Sequence, residues 1–183
     1  MVFRHHIIRL SVLLFRIRRE GFAIMNENEQ PDKAFVAHEA KKERWASEAE
    51  PFVECRPSEV TDIPWIYIKR KLGEYPTTTP RSGKWLIPLR EAKLDEIWPA
   101  VKQATEEGKL GQSSMAATAK PNPRARKSGE KMICVFTYDW TDAEDARRVR
   151  QALRDLGITK MLRYKADEDT RAGRYGINYR YYE

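Results

Sequence analysis

Met132-Ile-Cys-Val-Phe-Thr-Tyr138, followed by Asp-Trp-Thr-Asp-Ala-Glu144 and the run from Asp145 to Gly157, is the stretch that decides the fold. The first segment is apolar on both alternating faces, the mark of a central strand covered on each side. Thr141-Asp-Ala-Glu144 has the form of a capping box, in which hydroxyl and carboxylate satisfy each other's orphan amides at a helix start. Behind it, Ala146, Val149, Leu153 and Leu156 fall on one stripe and Gly157 closes the helix. Arg147, Arg148, Arg150 and Arg154 read as its solvated face, with Glu144 and Arg148 spaced as an i,i+4 pair.

Outward from that unit the pattern continues in both directions. Upstream, Ser113 to Ala119 reads as a small-residue strand, and Lys120 to Lys131 as a basic, proline-containing loop. Leu94, Ile97, Trp98, Val101 and Ala104 recur at helical spacing, predicting a helix over 91–108 with a kink or restart at Pro99. Trp65-Ile-Tyr-Ile-Lys69 and Lys84-Trp-Leu-Ile87 read as strands, the second stopped by Pro88, with a loop from Tyr75 to Gly83 between them. Residues 32–49 predict a helix with a weak apolar face that includes Phe35 and Trp45. Downstream come a strand through Met161 to Tyr164, a charged turn, and a last strand from Ile177 to Tyr182. The whole predicts an α+β fold, a mostly antiparallel sheet with two or three helices packed on one face. The boundaries expected are a basic apolar leader over 1–25 outside the fold, a helix and connection over 26–60, and a single domain over 61–183.

Length and charge narrow the function. A chain of 183 residues with 41% apolar and 10% aromatic side chains suits one folded domain and is too apolar for a disordered one. The net charge of +7 is concentrated: residues 1–19 hold five arginines and no acid. The remaining 29 basic and 27 acidic groups nearly balance, so double-stranded DNA is not the expected partner. The leader admits three readings: a transit peptide, an interfacial helix, or a segment upstream of a true start at Met25. No apolar run approaches 18 residues, so no integral membrane association is expected. Two cysteines, Cys55 and Cys134, form no disulfide framework and fit a cytoplasmic protein.

The available chemistry is limited by histidine, since His5, His6 and His38 all precede residue 40. His38 is the single candidate for a triad. No zinc motif, P-loop or dinucleotide fingerprint occurs, so neither metal nor cofactor is expected. Asp167, Glu168 and Asp169 read as solvated acids of a turn. Basic groups remain. Arg171 and Arg174, with Gly173 between them and Lys165 nearby, can bring planar forks to one anion, or can serve acids in an exposed turn. Lys84, in a strand, and Lys120, beside Pro121, are candidate bases if burial lowers their pKa. Trp65, Trp85 and Trp140 can stack a nucleotide ring or fill the core.

The stretches GEYPTTTPRSGKWLIPL, IWPAVKQATEEGKLGQSS, TAKPNP, ICVFTYDWTD and LRYKADEDTRAGRYG resemble the family whose eukaryotic member is basophilic-leukaemia-expressed protein. Bacterial relatives in that family are named phosphothreonine lyase domain proteins. The likeness runs from about Trp65 to Glu183 and implies a fold like translation initiation factor 4E, a curved antiparallel sheet backed by helices. A second, local resemblance is to effector phosphothreonine lyases. Lys84-Trp85-Leu86 is similar to their Lys-aromatic-His strand, with leucine in place of histidine, and Tyr164-Lys165 with Arg171-Ala-Gly-Arg174 to their phosphate-holding segment. It implies Lys84 as base, with Lys120 in reserve, and Lys165, Arg171 and Arg174 around the phosphate of a phosphorylated peptide. It also implies loss of the general acid. The initiation-factor resemblance implies instead a non-catalytic nucleotide or RNA-end binder, needing two facing aromatic rings and an acid to read the base edge. A third reading is a protein-interaction module that uses the basic loop over 120–131.

Overall fold

Strand β4 (Glu130–Thr137) takes the central place that its two apolar faces predict, antiparallel to β3 (Ser113–Ala117) on one side and β2 (Gly83–Arg90) on the other. The computed structural model describes residues 32–121 and 129–183. The leader over 1–25, Met25, and residues 122–128 of the basic loop lie outside the described residues. With β1 (Trp65–Lys69), β5 (Arg163–Ala166) and β6 (Tyr179–Tyr182) the sheet has the order β1-β3-β4-β2-β5-β6, antiparallel throughout. The helices are α1 (Lys33–Ala49), α2 (Glu91–Glu106), α3 (Ala143–Asp155) and the short α4 (Asp167–Arg171). The fold is α+β with an antiparallel sheet, as expected, but the helices lie on both faces and not on one, α1 opposite α2 and α3.

Each sheet face has its own core. On one, Trp85, Ile87, Ile133, Val135 and Tyr164 meet Leu94, Trp98 and Val101 of α2 and Ala146, Val149 and Leu153 of α3. On the other, Tyr67, Met115, Cys134 and Phe136 meet Ala49 and Trp45 of α1. Alternation along β2 sorts the two sets: Trp85 and Ile87 go to the α2 and α3 side, Lys84 and Leu86 to the other. Trp85 is wholly buried and its indole N–H donates to Ala146 O at 3.0 Å, so one side chain ties α3 to the sheet.

Four local expectations are corrected. Pro88 does not stop β2: β5 pairs only with Gly83 to Leu86, so the missing N–H of Pro88 falls on a side that no strand occupies. The cap of α3 is Asp142, whose carboxylate accepts from Asp145 N at 3.0 Å, because Thr141 is drawn instead to Asp139 through its amide at 2.8 Å and its hydroxyl at 2.7 Å. Arg148 pairs with Asp145 at 2.7 Å, not with Glu144. Arg150 is fully buried, donating to Ile158 O at 2.9 Å, Lys160 O at 2.8 Å and Glu183 O at 3.1 Å. That arginine ties the connection after α3 to Glu183, whose carbonyl also accepts from Leu162 N at 2.5 Å, which a helical wheel cannot show.

Candidate functional site

Asp167 and Asp169 open α4, directly after β5, and neither is a solvated turn residue: both are almost wholly buried. The reason is tertiary. The Asp167 amide donates to Ser82 O at 2.8 Å, which pins the start of α4 to the start of β2 and turns its carboxylate inward. There Oδ1 takes the Lys84 ammonium and Oδ2 takes Lys42 at 3.1 Å and Ser82 Oγ at 2.9 Å, with His38 Nε2 3.5 Å away and without a hydrogen-bond partner among the described residues. Lys42 also pairs with Glu39 at 2.8 Å, and Lys84 donates to Thr170 Oγ1 at 3.0 Å. Burial by itself would push the Asp167 carboxyl up; Lys84, Lys42 and the His38 contact outweigh it and hold the carboxyl well below the ordinary carboxylate range. Burial draws the Lys42 ammonium down, but Asp167, Tyr67 and Glu39 together raise it.

Asp169 forms a second centre. Its Oδ1 accepts from Arg174 Nε at 2.8 Å, while Oδ2 has no hydrogen-bond partner among the described residues and lies 3.6 Å from Arg180 Nη2. Arg180 also pairs with Glu168 at 2.6 Å and stacks its guanidinium 4.4 Å above the Trp140 ring. The ring is held from behind by the core, and its main chain by Tyr181 Oη at 2.6 Å and by its own amide on Arg81 O at 2.8 Å. The indole Nε1 of Trp140 and Nη1 of Arg171 also lack a partner among the described residues. Arg81 closes the rim, paired with Asp139 at 2.8 Å. Burial would raise the Asp139 carboxyl; Arg81 and Thr141 outweigh it and lower it.

Of the residues singled out from sequence, Lys84, Lys165, Arg171 and Arg174 come into one neighbourhood around α4. Lys84 and Lys165 face each other across β2 and β5. The Lys165 ammonium donates to Arg174 O and lies 4.2 Å from the Tyr175 ring, and Arg171 Nη2 donates to Pro80 O at 2.9 Å. Trp140 stands beside them. Lys120 does not: it is at the β1 and β3 end, donating to Asp62 O at 2.6 Å. Trp85 is wholly buried in the core that Trp140 packs against, and Trp65 packs with the α1 cluster on the other side, so neither offers a second exposed ring beside Trp140. Leu86 packs toward the same α1 cluster. Sequence reasoning passed over Asp167, Asp169, Arg180 and Lys42. Nothing within the run Asp167-Glu168-Asp169 signalled burial, since their partners lie far along the chain. His38 meets Asp167 and no nucleophile, and among the described residues no group of acids, histidines and cysteines could hold a metal.

Two arrangements thus define the class: a six-stranded antiparallel sheet with helices on both faces, and a charged aromatic site where β5 turns into α4. The architecture is that of initiation factor 4E. C. elegans eIF4E-3 in complex with the 4E-binding protein Mextli and cap analog is similar at TM-score 0.52 and 17% identity, over 75% of this chain and 79% of that one. Schistosome eIF4E complexed with m7GpppG and 4E-BP is similar at TM-score 0.52 and 14% identity, over 78% of this chain and 80% of that one. The chain itself belongs to the basophilic leukemia-expressed protein Bles03 family, whose model matches residues 76–170. No described helix is long and apolar enough to cross a membrane.

Proposed function

We propose that this protein is a non-catalytic nucleotide-binding module built on the initiation-factor 4E-like fold, with Trp140 as the stacking surface. The observation that carries the reading is the guanidinium of Arg180, a flat cation lying 4.4 Å over Trp140 with its edge on Glu168 at 2.6 Å. A surface that holds one flat, hydrogen-donating cation is complementary to another. A guanine alkylated at N7 is such a group: its ring carries positive charge, and its amide and amino edge donates to a carboxylate. Asp169 Oδ2, without a hydrogen-bond partner among the described residues, supplies the acceptor for that edge once Arg180 swings aside. Lys165, Arg171 and Arg174 would then hold the phosphates, as the lyase resemblance implies for a phosphate, with Arg174 exchanging Asp169 for the ligand. The fold likeness to two cap-bound proteins supports this reading at the level of architecture.

Elimination from a phosphothreonine peptide finds less support. Lys84 is engaged by Asp167 and Thr170 beneath α1, and Leu86 brings no proton to a leaving group. Isothermal titration with 7-methyl-GTP, GTP and ATP tests the nucleotide reading. Binding that favours the methylated base and is lost in Trp140→Ala and Asp169→Asn supports it; equal, weak heats for all three nucleotides, unchanged in both variants, remove it. Mass spectrometry of a phosphothreonine peptide incubated with the protein should show an intact peptide.

A further inference from the structure

Beyond the α4 site, β5 and β6 present side chains that stay exposed among the described residues, Arg163 and Tyr182 among them. Cross-strand register puts Arg163 opposite Tyr182 and Lys165 opposite Tyr179, with a bulge between Tyr164 and Lys165. Leu86, directly across from Arg163, packs in the α1-side cluster, so Arg163, Lys165, Tyr179 and Tyr182 share that side of the sheet, while Tyr164 and Tyr181 turn to the α2 and α3 core. Helix α1 packs on this side against β1 and meets α4 through Lys42 and Asp167. Tyr182 is 58% exposed, Ile177 56% and Tyr175 39%. The rings carry cations: Arg163 lies 5.1 Å from the centre of Tyr179, and Lys165 4.2 Å from Tyr175. Tyr179 and Tyr182 stand edge to face at 5.5 Å. Residues 159–166 and 172–182 together contain Lys160, Arg163, Lys165, Arg174 and Arg180 and no acid.

Exposed aromatic rings with cations between them, on the outer edge of a sheet, fit one kind of partner better than others. A protein surface would meet rings already crowded by charge. Paired bases would not reach the rings, and the balanced charge of the body lacks the footprint for a duplex. Unpaired bases have faces to stack on tyrosine, and their phosphates reach arginine. We infer that the β5 and β6 face binds single-stranded nucleic acid, with bases on Tyr179 and Tyr182 and a phosphate on Arg163. The chain would run along the outer edge of the sheet. This inference does not depend on the Trp140 site.

The test is fluorescence anisotropy of the full chain with a labelled oligouridine of about 8 nucleotides at low salt. Tyr182→Ala and Arg163→Gln, both at exposed positions, each weaken binding about tenfold. Arg163→Gln also lowers the slope of log affinity against log salt by about 0.7. Trp140→Ala leaves this binding unchanged, and Tyr182→Ala leaves mononucleotide heats unchanged, so the two sites fail separately. A duplex of the same length competes poorly. The inference is overturned if the wild type gives no anisotropy change at about 100 μM, or if both variants bind as tightly as the wild type, which would place the binding elsewhere on the chain.

Discussion

Replacing Asp167 by asparagine removes the one charge that two buried lysines share. The amide can offer its oxygen to Lys84 or to Lys42 but not to both, and its NH2 then faces an ammonium as donor against donor. Breaking a buried ion pair from one side costs about 3–5 kcal/mol. The low end applies here, because Lys84 keeps Thr170 at 3.0 Å and Lys42 keeps Glu39 at 2.8 Å. A loss of about 3 kcal/mol is a large part of the 5–15 kcal/mol typical of a domain and lowers Tm by roughly 6–12 °C. Urea denaturation of Asp167→Asn against wild type measures it, and the double variant with Lys42→Met should lose less than the sum of the two singles. The pH sign follows from the depressed carboxyl. The unfolded chain takes up the proton first on acidification, at about 4, so the contribution of Asp167 is complete above that value and is lost as pH falls through the lower folded value. A loss below about 1 kcal/mol, or strict additivity with Lys42→Met, would refute the idea that this cluster anchors α1 and α4 to the sheet.

Three other outcomes are expected. Arg150→Met should cost about 2–4 kcal/mol in urea denaturation, since Ile158 O and Lys160 O lose their arginine donor together and Glu183 O keeps only Leu162 N. Gly111→Ala should prevent folding or lower Tm by more than 10 °C (about 3 kcal/mol or more), because a Cβ there would sit 1.8 Å from Phe136 O in the main chain of β4; circular dichroism melting decides it. Thiol titration with a disulfide reagent should find one fast-reacting cysteine in the native protein, exposed Cys55; Cys134 is buried, its thiol pushed up to about 12, and should react only on unfolding.

The elements were legible from sequence wherever one period ran for a turn or more. Leu94 to Ala104 and Ala146 to Leu156 declared helices, and Met132 to Tyr138 declared a central strand. Apolar spacing is a local property, and burial of one face follows from it. The ends of elements were less legible. Pro88 continues its strand because β5 is short on that side, and Asp142 caps α3 because Asp139 captures Thr141.

The candidate site divides along the same line. Composition and spacing marked out Lys84, Lys165, Arg171, Arg174 and Trp140 as groups able to meet an anion or a ring. Nothing local distinguished Asp167 and Asp169 from turn acids, or Arg150 from its solvated neighbours, because burial of a charge depends on partners far along the chain. Asp167 meets Lys84 across 83 residues and Lys42 across 125. Arg180 reaches Trp140 through a bulged edge strand. By itself the amino-acid order therefore determined the periodic elements and the kinds of chemistry on offer, since both are written in neighbouring residues. Only tertiary structure decided which charges lie inside, which ring stays at the surface and what covers it, since those depend on contacts made when distant segments close on one another.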